Sequence, residues 1–156
     1  MNASDQPSSS SSTTFFTNLS LYHVFQHAPI PMCILRGSDF VYEFVNNAYA
    51  QMMNKASSQI IGQPLHQIIP QIGPQTIALL QEVITSKQTI SFNERPVDID
   101  WGQTGTLHRK YVNISYQPLF SEQDTTEVIG ILVIIQEVTK PVRDQMRYKI
   151  LTDISH

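Results

Sequence analysis

The side chains in this chain that could do chemistry are few and scattered. His23 and His27 stand four apart, so on a helix both imidazoles face one way and could ligate a metal. No third ligand lies near them, and two solvated histidines are the plainer reading. Asp98 and Asp100 alternate along a β-rich run, so both carboxylates share one side near a hairpin tip, where they could meet a cation or simply face water. His108 and Ser115 fall on one run but about 23 Å apart along an extended strand, too far for a nucleophile–base pair. The single cysteine, Cys33, leaves no partner for an internal disulfide and reads as a small core residue. There is no Gly-x-Ser-x-Gly, no phosphate-cradling glycine loop and no His-Glu-x-x-His. The expectation is a chain with no catalytic site and no metal site.

Bulk composition narrows the class. With 156 residues, 41% of them apolar, the chain suits one globular domain plus tails. Only 15% are charged and the net charge is −3 with no Lys/Arg cluster. Nucleic acid is therefore not the expected partner, because phosphate neutralisation needs a basic face. The longest apolar run, Val128 to Ile135, is strand-sized and falls short of the roughly 18–20 residues of a membrane span. No apolar stretch precedes Phe15, so no secretory signal is expected. These points describe a soluble cytoplasmic domain.

The elements that must position these residues follow from period and punctuation. Residues 1–17 are Ser-rich and lack large aliphatic anchors, so they read as a disordered tail. Asn18 offers an N-cap to a short helix whose stripe is Leu21, Tyr22, Phe25 and Ala28, ended by Pro29 and Pro31. Met32 to Arg36 and Phe40 to Asn46 form a hairpin around Gly37-Ser38-Asp39. Asn46 caps a short helix through Tyr49 and Met53, and Gly62, Pro64, Pro70, Gly73 and Pro74 cut the next stretch into single turns. Gln75 to Thr85 is a longer helix with Ile77, Leu80 and Val83/Ile84 on one side. Thr89 to Trp101, Leu107 to Phe120 and Glu127 to Glu137 are three β runs, and in the middle one Val112, Ile114 and Tyr116 share a face. Pro141 then opens an exit helix over 141–156 with Val142, Met146, Ile150 and Ile154 in register. Strands at both ends of a helical middle mean α+β with an antiparallel sheet.

Four segments carry a resemblance to the PAS domain family, the sensory modules of bacterial signalling proteins. Phe25-Gln-His-Ala-Pro29-Ile-Pro31-Met resembles the point where a leading helix feeds the first strand. Phe44-Val-Asn46-Asn-Ala48-Tyr49 resembles the step from second strand to first short helix, and Ile60-Ile-Gly62-Gln-Pro64-Leu the following turn. Gly130 to Thr139 resembles the last strand with its closing Asp-Ile-Thr, here Glu-Val-Thr. The resemblance spans 18–140 and implies a PAS fold, a five-stranded antiparallel sheet of order 2-1-5-4-3 with short helices over one face. It implies a ligand cavity between them, with Tyr49, Met52, Ile69, Leu79, Phe92 and Ile114 as candidate lining, residues that serve equally as plain core. It also implies a signal junction at Glu137, Val138 and Thr139. The cysteine motif of light-sensing relatives is missing, and His66 alone occupies the helical middle where haem-binding relatives place a histidine. Neither haem nor flavin is expected, and an unidentified small-molecule ligand remains open.

Beyond the domain, Leu151-Thr-Asp-Ile154-Ser155-His156 resembles the start of the phosphoacceptor box of sensor histidine kinases. In that reading His156 accepts phosphate. Tyr148 to His156 resembles the first helix of a second PAS domain, the reading placed first, and an unrelated helix is the third. All three readings make the chain part of a longer protein with a downstream effector. The expected function is a sensory and dimerising input module, most naturally of a sensor histidine kinase in a two-component phosphorelay. The alternatives are a ligand-free dimerisation spacer, or the input of a cyclase or transcription regulator. The stripe of Leu21, Tyr22 and Phe25 exceeds what one small sheet can cover, so a homodimer through this helix is expected.

Overall fold

A computed structural model describes residues 21–138, 145–147 and 149. The Ser-rich tail, Thr139 and His156 lie outside the described residues, and within the exit segment 145–147 and 149 are helical and exposed. Among the described residues no helix is long and apolar enough to cross a membrane.

Helix α1, Leu21–His27, stops before Pro29, and the chain then enters β1, Met32–Arg36. Gly37 turns it back at φ +78, a left-handed conformation that costs glycine little. Strand β2, Val41–Val45, pairs antiparallel with β1. The register slips between Ile34 and Leu35, so Glu43 bulges outward while Tyr42 and Val45 both point into the core. Period-two reasoning alone would have sent one of those two side chains to solvent.

Three short helices follow: α2, Asn47–Met53, α3, Ser57–Ile60, and α4, Leu65–Ile68. The Gly62-Gln63-Pro64 turn between α3 and α4 lies along the free edge of β2. Tyr42 donates to the Gln63 carbonyl at 2.9 Å, Gly62 donates to the Tyr42 carbonyl at 2.8 Å and Leu65 to the Phe40 carbonyl at 3.0 Å. An edge that would otherwise invite another strand is thereby occupied. Helix α5, Pro74–Ser86, has proline at its first position and turns its buried Leu80 and Val83 inward.

Strands β3, Ile90–Ile99, β4, His108–Phe120, and β5, Val128–Glu137, complete one antiparallel sheet of order β2-β1-β5-β4-β3. The expected fold and strand order are those observed. β5 lies at the centre of this sheet, which explains why Val128 to Ile135 is the longest apolar run in the chain. Val112, Ile114 and Tyr116 of β4 and Ile131, Val133 and Ile135 of β5 are all buried against the helices.

Asn46 joins these parts. Fully buried, it accepts through Oδ1 from the backbone N–H groups of Met32 and Tyr49, each at 3.0 Å. Its Nδ2 donates to the Ile30 carbonyl at 2.9 Å. One amide thus caps α2 and fixes the segment that leads into β1. Replacing it by alanine strands three buried backbone groups, and each uncompensated group costs about 1–3 kcal/mol. Asn46→Ala is expected to lower unfolding free energy by about 2–4 kcal/mol in urea denaturation. Asn46→Asp, which keeps the acceptor but loses the donor, should fall between. A loss under about 1 kcal/mol for the alanine variant would show that water replaces the amide.

Candidate functional site

Two of the spaces between helices and sheet hold candidate lining residues. The first is small, with a volume of about 60 Å³, among Cys33, Tyr49, Ile69, Leu80, Ile114 and Tyr116. Its size lies well below the roughly 300–1,000 Å³ of small-molecule sites. Tyrosines fill what would be its upper part: the Tyr42 and Tyr49 hydroxyls are 2.7 Å apart, with ring centroids at 5.7 Å. Burial raises the Tyr42 and Tyr49 phenols well above their ordinary range, and each is further disfavoured as an anion by Cys33 nearby. Burial also pushes the Cys33 thiol up to about 12, with a hydrogen bond from Tyr49 opposing it. Cys33 is therefore an inert thiol in the packed core.

The second space is an open cleft of about 510 Å³, within the range for ligand sites. Pro29, Ile30 and Pro31 form one wall, and Ala48, Gln51 and Met52 of α2 another. Its floor is Trp101, Val112 and Ile135, each largely buried. Gln136 and Glu137 at the end of β5 and Lys110 on β4 complete it. Trp101 is held by its indole N–H donating to the Val97 carbonyl at 3.1 Å. The Lys110 ammonium lies 5.3 Å from the Trp101 ring centroid and 3.3 Å from a Glu137 carboxylate oxygen. Both charged residues continue the inward rows of their strands. Lys110 precedes Val112, Ile114 and Tyr116 at period two, and Glu137 follows Ile131, Val133 and Ile135 likewise. Extending the alternation by one step would have revealed them in the sequence. Trp101 carried no such signal, because it lies in the turn past β3 where the period has ended.

The six candidate lining residues are distributed between these spaces and the core. Tyr49, Ile69 and Ile114 line the small cavity and Met52 the open cleft. Leu79 and Phe92 are half-buried and pack on the core, and the Arg95 guanidinium covers the Phe92 ring at 3.9 Å. His66 is exposed on α4 and does not line the cavity. At the junction Glu137 pairs with Lys110, and the Val138 N–H donates to the Tyr111 carbonyl at 2.8 Å.

The other candidates have local duties. His23 and His27 stack at 5.9 Å on α1. Asn47 donates to His27 Nδ1 at 3.2 Å and accepts from Gln26, tying α1 to α2. Asp98 forms a two-point pair with Arg109, at 2.8 Å for each bond, which holds its carboxyl below the usual range. Asp100 stands past the end of β3 rather than beside Asp98 on it, and accepts from Thr104 and Gly105 to shape the hairpin turn. Among the described residues no three His, Cys, Asp or Glu side chains gather as a metal would require.

Residues 25–143 match the family model described as PAS fold. No curated protein matches the chain in sequence. Among solved structures, an RNA-binding Light-Oxygen-Voltage receptor superposes with a TM-score of 0.68 at 13% identity, over 92% of this chain and 38% of that one. A sensory box sensor histidine kinase from Vibrio cholerae gives 0.55 at 17% identity, over 83% of this chain and 98% of that one. The Vibrio cholerae VqmA dimer, described as a LuxR-type receptor, gives 0.60 at 15%, over 80% of this chain and 52% of that one. At these identities the likeness is one of fold.

The buried thiol and phenols predict an alkaline weakness. Burial raises Cys33 from 9.0 and Tyr116 from 10.0, both to about 12, so the unfolded chain loses these protons first. Stability is complete below about pH 9 and is lost as pH rises toward 12. Cys33→Ala is expected to flatten the part of this decline that begins near pH 9 and to leave the tyrosine-driven part above pH 10. Denaturation midpoints from pH 8 to 11 measure it, and an unchanged profile in the variant would mean that Cys33 ionises freely in the fold.

Proposed function

The chain belongs to the PAS fold family, and from that premise we propose that it is a cytoplasmic sensory input module whose open cleft receives the signal. The observation that carries this reading is the shared wall. Ile135, Gln136 and Glu137 line the cleft and are also the last turns of chain before the exit segment. An occupant of the cleft touches the strand that leads out of the domain, and Glu137, Val138 and Thr139 act as the junction. A ligand moves such an equilibrium only by its different affinity for two states, so this contact is where the difference must arise. The effector we favour is a sensor histidine kinase, supported by the resemblance of Leu151 to His156 to a phosphoacceptor box, with His156 as acceptor. A second PAS domain beginning at Tyr148 rests on the same residues.

The module works as a homodimer through α1. Leu21, Tyr22 and Val24 are more than half exposed and Phe25 is 39% exposed, while the helix has no buried residue of its own. Tyr22 reaches the sheet edge-on to Phe44 at 6.1 Å. An apolar helix face left this open supports association with a second copy.

Two outcomes test these statements. Met52→Trp fills the cleft from the α2 side in place of an occupant, and in the full-length parent it should hold effector output at one ligand-independent level. Output that still follows the signal would favour the passive dimerisation spacer. Phe25→Glu is expected to weaken self-association at least about tenfold in analytical ultracentrifugation with an unchanged melting temperature. An unchanged association constant would remove α1 from the interface.

A further inference from the structure

We propose that the cleft takes a small monocarboxylate with an apolar, flat body, and that its carboxylate displaces Glu137 from Lys110. This deepens the sensory reading above and rests on it. Among the described residues lining the cleft, Lys110 is the one cation and Glu137 the one anion. The Lys110 side chain is 26% exposed and that of Glu137 51%. The Lys110 side chain is thus the more covered member of the pair, and its counter-ion is half in water. The contact is a single one at 3.3 Å, and an ammonium has three protons to donate.

The surroundings select the rest of the ligand. Trp101, Val112 and Ile135 close the cleft floor, nearly buried, and Met52, Ile30 and Pro31 are the half-buried apolar residues above them. The Lys110 ammonium is already close to the Trp101 ring. A flat ring laid between Met52 and the Ile30-Pro31 wall would bring a short-chain carboxylate to Lys110. A ligand carboxylate and the Glu137 carboxylate are chemically alike, so exchange between them is nearly neutral and apolar burial decides occupancy. A neutral ligand of the same shape gains no ion pair, and a second negative charge would face Glu137 directly. Exchange frees the Glu137 side chain one residue before Val138, whose N–H holds the Tyr111 carbonyl. Occupancy is thereby reported at the residue where the strand leaves the sheet.

Trp101 is the single tryptophan of the chain, so its fluorescence reports the cleft directly. The probes are phenylacetate, benzoate and hexanoate, with phenylacetamide as the uncharged match of the first. Phenylacetate is expected to give a saturable change and phenylacetamide one at least about tenfold weaker. Lys110→Gln should erase that preference. Glu137→Gln should tighten phenylacetate several-fold, because it removes the competing carboxylate, an outcome that a merely structural ion pair would not produce. Circular dichroism and melting confirm that both partly exposed variants fold. Absence of saturation with all three carboxylates, equal binding of acid and amide, or weakening by Glu137→Gln overturns the assignment. Binding of the amide alone, indifferent to Lys110→Gln, overturns the carboxylate but leaves the sensory reading to the Met52→Trp experiment.

Discussion

The buried amide of Asn46 is the interaction on which the rest of the domain depends. It stands where β2 ends, and its three hydrogen bonds reach Ile30, Met32 and the first turn of α2. Its own backbone N–H closes the link by donating to the Met32 carbonyl at 3.0 Å. No apolar side chain could do this, because the segment between Pro29 and Met32 has no partner strand for all its polar groups. With that segment fixed, the Ile135 N–H can donate to the Pro31 carbonyl at 3.0 Å, and β5 is seated in the centre of the sheet. The same segment is a wall of the cleft. One polar group therefore bears on both the core and the shape of the cleft. A buried amide with every bond made is worth keeping, since a half-satisfied one would cost more than an apolar core.

The contrast between the two spaces follows from side-chain size along the inward rows. At the middle of the sheet those rows carry Tyr116 and Ile131, and Tyr42 and Tyr49 close over them from β2 and α2. Three aromatic rings leave only a gap. Toward the exit the rows end in Lys110 and Glu137, long side chains that hold their charges outward and leave the space beneath open. Among the described residues α2 borders this end only through Ala48, Gln51 and Met52, since it stops at Met53, where Asn54 takes φ 52.

How much of this could be read from residues alone differs by level. The α+β class, the strand order through its resemblance, and the cap at Asn46 were legible, since apolar period, turn glycines and an Asn between strand and helix are local signals. The bulges at Glu43 and between Phe92 and Arg95 were not. They arise from matching two strands against each other, and Glu94 reaches its positive φ with its N–H bonded to the Asn113 side chain across the ladder. Asp100 illustrates the same gap: alternation placed it beside Asp98, but β3 had already ended and the carboxylate serves the turn. Candidate site residues fared by kind. Apolar residues such as Tyr49, Ile69 and Ile114 carry no mark that separates cavity lining from core, whereas a charge at the end of an apolar row does.

A strong ion pair at the junction would be a poor sensor. Partly exposed pairs contribute on the order of 0–1 kcal/mol, and Lys110–Glu137 is such a pair. A ligand that had to break a buried, fully hydrogen-bonded pair would forfeit several kcal/mol before gaining anything. Breaking this one costs little, so nearly all the apolar burial of a ligand between Met52 and the Ile30-Pro31 wall is available to shift the population of the exit strand. Moving a two-state equilibrium from one extreme to the other needs about 5.5 kcal/mol of differential affinity, which at roughly 25 cal/mol per Å² means about 220 Å² of apolar contact made in one state only. The cleft, with one wall on α2 and another on the end of β5, can supply contact of that kind only if the two walls close on the ligand together. In the sensory reading proposed above, the weak ion pair and the two-walled cleft would form one device, in which the charge exchange sets the direction of the response and the apolar walls set its size.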